Sequence, residues 1–522
     1  MFVRVKKSGP RQYLQVVENR WEDGATRQRV VATLGRLDRL QSHGDIDGLM
    51  KSLSRFSDQV KVEKAVASGD MEIRSALRIG PPLVFERLWK ETGISTVLSE
   101  LLARRRFKFS VERAVFLSVL NRLFSPGSDR QADQWREDYR IEGTKDLELH
   151  HLYRAMGWLG EARQEIEKRL FTRRRDLFSN ADLVFFDTTS IYFEGMGGET
   201  LGKYGNSKDH RPDRRQMVVG AVMDSEGMPL SAPMWPGNQT DVKTLLPLVD
   251  DLKSRFGIRQ MSVVADRGMI SKNTVQELER AEIGYILGAR MRKTTEVKED
   301  VLGRGGRYKE VAANLHVKEV RVGKSRYVVC LNPEEAKWDA NTRSAILKSL
   351  RVNLKKGASS LIGNRGYRRF LKIKKDSVDI DEDKIKIDAR YDGKWVLRTN
   401  LELPTEEVAL RYKELWRVER LFRDVKSLLS TRPIYHHFDA TICGHVFVSF
   451  LALILLHELD VRQELRKEKM EWADIRRDLD ALQEVTVSQD GKNYRLRTPI
   501  RKAATAAFRA AGVAIPPAVL GA

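Results

Sequence analysis

Residues 183–193 read LVFFDTTSIYF. An apolar run of this length, rich in aromatic and β-branched residues, predicts a buried strand. Asp187 sits in its middle, between Phe185, Phe186, Thr188 and Thr189. An ionisable side chain there is costly unless a partner compensates it. Taken alone, the strand leaves two explanations open: Asp187 faces solvent or marks a strand end, or it belongs to a group of converging polar side chains.

The sequence that follows decides the fold. MVVGAVMD (217–224) is a second apolar run, and the turn SEG leads into a third, MPLSAPMW (228–235). DVKTLLPLVDDLKSRFG (241–257) has helical period, with Thr240 or Asp241 as its cap and Gly257 at its end. MSVVADRGM (261–269) is a short buried strand that ends in Asp266, a second helix runs from Ser271 to Gly284, and YILGARM (285–291) is the last strand. Three strands, helix, strand, helix, strand is an α/β order with a mixed sheet, and it fits the ribonuclease-H-like fold.

Other regions flank or interrupt this core. Residues 1–80 begin as a small β-meander (FVRVKK, QYLQVVENRW, the turn EDGATR, QRVVATLG) and continue as a linker. Residues 81–176 are helical and basic; LLARRRFKFS (101–110) and FTRRRDL (171–177) each carry three consecutive arginines, readable as solvated faces or as DNA contacts. The first part of the core covers 177–292. From 293 to 400 the pattern turns β-rich, with SRYVVCLN (325–332), a helical piece from Glu334 to Lys355, and KIKIDARYDGKWVLRTN (384–400), whose Asp392-Gly393 predicts a tight hairpin. This predicts an inserted subdomain. The core resumes over 401–460 with a long helix that starts near Thr405, carries Glu406 and Glu407 in its first turn and is stopped by Pro433. The apolar run HVFVSFLALILL (445–456) follows, and 461–522 reads as a C-terminal helical region.

Lys and Arg number 93 against 72 Asp and Glu in 522 residues, a formal charge of +21, with a pI near 9.8. Such an excess favours a polyanionic partner, nucleic acid before an anionic membrane surface. The 445–456 run is shorter than the roughly 20 residues a spanning helix needs, so a helix buried within the protein and no membrane partner are expected. MFVRVKKSGP at the start has no apolar signal core, which predicts a cytoplasmic, nucleoid-associated protein. Cys330 and Cys443 have neither a CxxC context nor a paired histidine, so buried free thiols are expected.

Asp266 repeats the ambiguity of Asp187, since Asp-Arg-Gly at a strand end is a common turn. Together the two say more, because carboxylates on neighbouring strands can converge on a shared metal and α/β sheets place ligands at their carboxyl edges. A third oxygen donor is Glu419, within YKELWRVERLFRDVKSLL (412–429). On a helical wheel, Leu415, Val418, Phe422, Val425 and Leu429 form one apolar stripe, while Tyr412, Trp416, Glu419, Arg423 and Lys426 form a second along its edge. The alternative is an ion pair from Glu419 to Arg423, worth a few tenths of a kcal/mol, which leaves Tyr412 and Trp416 unexplained.

FFDTTS, VVADRGM and YKELWRVERLFRDVK resemble the three catalytic blocks of DDE-type insertion-sequence transposases, in particular those with a Tyr-Arg-Glu-Lys signature helix. Asp266 follows Asp187 by 79 residues and Glu419 follows Asp266 by 153, and the longer interval is similar to that of members with a β-rich insertion before the glutamate. KYGNSKDHRPDRRQ (203–216), PGNQTD (236–241) and RPIYHHFDATICGHVFVSFLAL (432–453) extend the resemblance. Tyr412 and Lys426 hold the signature's places seven residues either side of the glutamate, but its arginine, four residues before, is Leu415 here. Arg423 lies about 40° from Glu419 on the wheel and Arg417 about 160° away, so Arg423 is predicted to supply the missing phosphate contact.

The resemblance implies an enzyme that cleaves the ends of an insertion sequence and joins them to target DNA. Two Mg2+ (or Mn2+) ions would assist, with Asp187 bridging them and Asp266 and Glu419 holding one each. It also implies Tyr412, Trp416, Arg423, Lys426, Lys208 and Arg267 as contacts to double-stranded DNA, at inverted-repeat ends and target, and a homodimer in the DNA complex. Trp416 matches a motif position for stacking a flipped base, and Trp395 and Trp338 in the insertion are further candidates. Asp209 and Asp213 are rival metal ligands, disfavoured because loops hold carboxylates less firmly than strands. Two other functions stay open: a metal-dependent nuclease without strand transfer, and a non-catalytic DNA-binding repressor derived from a transposase.

Overall fold

A computed structural model describes residues 1–22, 25–174, 183–258, 261–354, 365–373, 378–489 and 491–519. The chain forms two compact units, Met1–Leu77 with Gln483–Pro499 and Pro516–Ala522, and Arg78–Leu482 with Ile500–Ile515.

The first unit holds the expected meander, strands Phe2–Ser8, Arg11–Glu22 and Ala25–Arg36 in antiparallel pairing. The stretch read as a linker carries three helices (Leu37–Ser42, Asp45–Leu53, Asp58–Ser68) and a strand, Met71–Arg78. That strand shares a three-stranded sheet with Gln483–Gln489 and Lys492–Arg497. The C-terminal region read as helical therefore contains a hairpin, whose signals are its period-two alternation and Gly491 at φ 75°.

In the second unit, helices α1 (Val111–Phe124), α2 (Asp129–Trp135) and α3 (Leu149–Arg174) precede a ten-stranded sheet. Its strands are β1 (Leu183–Tyr192), β2 (Gln216–Met223), β3 (Pro229–Ser231), β4 (Met234–Pro236), β5 (Ser262–Ala265), β6 (Gly284–Gly288), β7 (Lys309–Ala312), β8 (Leu315–Val322), β9 (Ser325–Leu331) and β10 (Lys394–Thr399). The run MPLSAPMW is split into β3 and β4 at Pro233, which has no amide to donate to a ladder. Strand order is β7-β8-β9-β10-β6-β5-β1-β2-β3, with β4 also on β2. β1, β2 and β3 run antiparallel, and β5 and β6 add in parallel beside β1. α4 (Leu245–Phe256) leads into β5 and α5 (Lys272–Arg280) connects it to β6. This is the ribonuclease-H-like arrangement the element order predicts.

The insertion departs from expectation. β10 pairs with β6 on one side and β9 on the other, so the strands over 309–331 and 394–399 prolong the core sheet, while Leu371–Ile373 and Val378–Ile380 form a separate two-stranded sheet beside a small core of Leu350, Phe370 and Leu371. KIKIDA folds as helix Glu382–Ala389, and Gly393, at φ 57°, turns that helix into β10 rather than closing a hairpin. The start signal is local: the Asp381 side chain accepts the Lys384 amide and Glu382 and Asp383 fill the first turn.

α6 (Thr405–Lys413) and α7 (Trp416–Arg423) cover one face of the sheet, α4 and α5 the other. α8 (Asp439–Arg466) is long and apolar enough to cross a membrane by length and composition, but 78% of that stretch is buried inside the protein. It crosses α3 where a Cβ on Gly160 would overlap the Ala440 carbonyl and one on Gly444 the Met156 carbonyl, so only glycines allow the backbones to touch. Cys330 and Cys443 are buried and free.

Candidate active site

Strand parity positions the two aspartates. Phe185, Val264 and Ile286 belong to the core under α6 and α7, whereas Phe186, Ala265 and Leu287 belong to the core under α4 and α5. Phe186 pairs with Ala265, and Ala265 with Leu287. One residue further on, Asp187, Asp266 and Gly288 stand side by side on the α6–α7 face, level with the ends of β5 and β6.

Gly288 makes room for a tyrosine. A Cβ at that position would lie 2.6 Å from the Tyr412 hydroxyl and 2.8 Å from the Arg267 nitrogen. The Tyr412 hydroxyl donates to Asp266 Oδ1 at 3.2 Å, and burial, reinforced by Asp266, raises its pKa. Burial pushes the Asp187 carboxyl up to about 6; Lys208 and the Thr188 amide, 2.7 Å from Oδ1, oppose the shift, and Asp266 and Asp241 add to it.

Glu419 is exposed on α7 and lines an open cleft of about 420 Å³ with Asp266, Arg267, Trp395, Tyr412 and Trp416. The structure thus joins Asp187 to Asp266 and puts Glu419 in the same cleft as Asp266. Among the described residues, no three His, Cys, Asp or Glu side chains are close enough to hold a metal ion together.

The long helix expected from Thr405 is jointed. At Glu414 and Leu415 the amides of Leu415, Arg417 and Val418 bond to carbonyls three residues back, and Asp424–Leu428 widens into a π-helical turn. The apolar stripe survives, with Leu415, Val418, Phe422, Val425 and Leu429 all buried and Leu421 added to them. The tighter turn lies between Tyr412 and Glu419, yet both side chains line the same cleft, as the wheel predicts, and the tyrosine there meets Asp266. Arg417 and Arg420 face the other way, as the wheel predicts: Arg417 donates to the Ser225 carbonyl at 2.8 Å and Arg420 lies 3.7 Å from Asp460.

The expected DNA contacts divide into two groups. Trp416, 51% exposed, and the exposed Arg267 and Arg423 are available, and neither arginine makes an ion pair with a described residue. Lys208 and Lys426 also pair within the chain, Lys208 with its side chain 34% exposed and Lys426 with 14%. The Lys208 ammonium donates to the Thr188 carbonyl at 2.7 Å and pairs with Asp241 at 3.2 Å. Lys426 shares the carboxylate of Asp209 with Arg432, at 2.7 Å. Asp209 is thereby a buried counter-ion, and Asp213 pairs with Arg211 and Arg214 at the surface; neither stands with the aspartate pair. Trp395 lines the cleft, while Trp338 is exposed on helix Pro333–Leu354. Arg104, Arg105 and Arg106 are exposed, Arg173 pairs with Glu100, and residues 175–177 of FTRRRDL lie outside the described residues.

Two residues near the aspartates escaped the sequence reading. Asp241 accepts from the Thr188 hydroxyl at 2.6 Å, and Arg290 fixes the turn after β5 by donating to the carbonyls of Arg267 and Gly268. The PGNQTD block was the available signal for Asp241.

Two family profiles match the chain: the IS1634 family transposase, N-terminal domain, over residues 3–66, and the Transposase DDE domain over 179–455. No curated protein shows significant similarity. Among solved structures, a piggyBac transposase synaptic complex with hairpin DNA is 10% identical, with a TM-score of 0.37 over 77% of this chain and 79% of that one. The DDE match spans more than half of the sequence and contains Asp187, Asp266 and Glu419, and the chain belongs to the transposase DDE domain family.

Proposed function

We propose that this transposase cleaves the ends of an insertion sequence and joins them to target DNA by phosphoryl transfer at Asp187, Asp266 and Glu419. The observation that supports the reading is that Asp187 and Asp266 stand side by side on neighbouring strands, on the face α7 covers, with Glu419 lining the same cleft as Asp266. These residues fit a hard divalent ion such as Mg2+ or Mn2+, because every donor is a carboxylate oxygen and burial makes Asp187 hard to ionise until a cation compensates it. Two such ions, when bound, supply an activated oxygen nucleophile and a stabilised leaving oxygen.

The chain's own residues do the positioning. Tyr412 orients Asp266, the Thr188 amide orients Asp187, and Gly288 leaves space for the tyrosine hydroxyl. Arg267 and Arg423 neutralise phosphates at the cleft, Trp416 and Trp395 offer ring faces to a displaced base, and DNA entry closes Glu419 onto the aspartates. The active form is a homodimer on two element ends, in the cytoplasm and on the nucleoid.

The test is a donor plasmid carrying the element's flanking inverted repeats, incubated with target DNA and Mg2+. Excised and joined products are expected, and Asp187→Ala should abolish cleavage while retaining DNA in a gel-shift assay. Cleavage without joined products would establish the nuclease reading, and binding without cleavage the repressor reading.

A further inference from the structure

A second cavity, about 570 Å³, opens between the end of α1, the start of α2 and the start of α8, and shares no lining residue with the Glu419 cleft. Arg122 and Asp129 form its polar part. Arg122, 4% exposed, donates to the carbonyls of Leu429 and Ser430 at 3.3 and 3.4 Å and lies 3.3 Å from His445 Nδ1. Asp129 is 8% exposed, yet its Oδ2 has no hydrogen-bond partner among the described residues; His436 Nε2 lies 3.9 Å away, on an imidazole that burial keeps neutral. A buried acceptor left open in this way calls for a donor from outside the chain.

The rim is aromatic. Tyr153, Tyr435, His436 and Phe438 line it, and Tyr435 and Phe438 are 64% and 72% exposed, so packing does not account for them. Their segment pairs beside the end of the strand that carries Asp187: the Ile434 amide donates to the Tyr192 carbonyl, and the Glu194 amide donates to the Ile434 carbonyl at 3.0 Å. From Asp187 to Phe193 is roughly 20 Å of strand, or about six base steps of DNA. Arg211 lies over the Tyr192 ring and Arg214 pairs with Glu194 at the end of this strand.

We propose that this cavity is a nucleobase site: it takes one unpaired base, stacked on Tyr435 and Phe438, whose exocyclic amino group donates to Asp129. A flat ligand with an exocyclic amino group fits walls that offer ring faces and one unpartnered carboxylate oxygen; cytosine, adenine and guanine carry such a group, whereas thymine has only its ring N3–H. A metal is the poorer occupant, since Asp129, His436 and His445 do not form an ion-holding group. The proposal takes from the transposase reading only that the partner is DNA.

The test uses the full chain without divalent metal and follows fluorescence anisotropy of three labelled twelve-nucleotide strands, oligodeoxycytidine, oligodeoxythymidine and an abasic strand, across a salt series. The cytidine strand should bind several-fold tighter than the thymidine strand, and Asp129→Asn should remove that preference. The double variant Tyr435→Ala/Phe438→Ala should weaken both by about tenfold with the salt slope unchanged and the abasic strand unaffected. Both aromatics are exposed, so this variant keeps the test alive should Asp129→Asn fail to fold. Equal affinity for the two base-bearing strands in the wild type, wild-type affinity in the double variant, or an equal loss on the abasic strand would each overturn the proposal. No cleavage is measured, so failure of end cleavage and failure of this site are separate results.

Discussion

Asp187 and Asp266 stand on a sheet, Asp266 lining the cleft, whereas Glu419 reaches that cleft on an eight-residue helix between two joints. The aspartates are fixed by strand register, since Phe186 faces Ala265 and side chains alternate, so neither can shift without breaking a ladder. Glu419 depends on the tight turn at Glu414 and Leu415, on the π-helical turn at Asp424–Leu428, and on what packs behind α7. One half of the site is therefore set by the fold and the other is adjustable, which accounts for a preformed aspartate pair and an exposed glutamate in the same cleft.

Replacing the acids separates the two halves most sharply. Asp187→Asn and Glu419→Gln should each lower Mg2+-dependent end cleavage by more than about a hundredfold, because even residues behind metal ligands carry 10- to 100-fold. Stability should part them. The folded pKa of Asp187, about 6, lies above its unfolded value, so its stabilising contribution is complete below pH 3.8 and is lost as pH rises through 6. At pH 7 without divalent metal the neutral amide should raise unfolding free energy by up to about 3 kcal/mol, while Glu419→Gln, exposed, should stay within about 0.5 kcal/mol. A strongly destabilised Asp187→Asn in urea would mean that this carboxylate is structural.

The second joint offers the next largest effect. Lys426 lies in the π-helical turn, and Asp209 pairs it with Arg432 where the carboxylate is 3% exposed. Asp209→Ala leaves a buried ammonium without its counter-ion and should cost about 3–5 kcal/mol in urea unfolding. Adding Lys426→Met should return part of that loss, and a single-variant cost below about 1 kcal/mol would show that the pair does not hold the joint.

The same contrast explains what the sequence disclosed. The aspartates were legible because a carboxylate inside an apolar strand is a local anomaly, and the core topology because its strands and helices alternate in period. The joint at Leu415 was not, because no glycine or proline marks it; only the backbone bonding changes. Nor could the partners of Lys208 and Lys426 be read, since Asp241 and Asp209 come from distant loops, nor the edge on which β10 docks, since pairing partners are not written locally. Leu415 sharpens the point. The resemblance to the signature helix puts arginine at this position, but the Leu415 side chain is 6% exposed, so Leu415→Arg buries a charge. The variant should lose about 2–4 kcal/mol of stability without tighter DNA binding, measured by urea unfolding and gel shift. A gain in affinity at unchanged stability would place this position at the DNA surface.

The smallest effect lies behind α7, where His457 shares a cavity of about 280 Å³ with Arg417, Arg420 and Asp424. Burial holds its pKa down at about 4, with Arg174 and Arg417 adding repulsion and Glu458 opposing it. The unfolded chain protonates this histidine near pH 6.5, so between 6.5 and 4 the unfolded state binds the extra proton and stability falls as pH falls. From pH 7 to pH 5.5 this group should remove about 1 kcal/mol, and His457→Gln should flatten the loss by that amount in paired urea titrations. Because a protonated His457 pushes against Arg417, the change should fall on the adjustable half: hydrogen exchange of the α7 amides should quicken at the lower pH while that of the β1 and β5 amides does not. Equal quickening in both would mean that the sheet and α7 open as one unit, and the division between a fixed and an adjustable half of the site would fail.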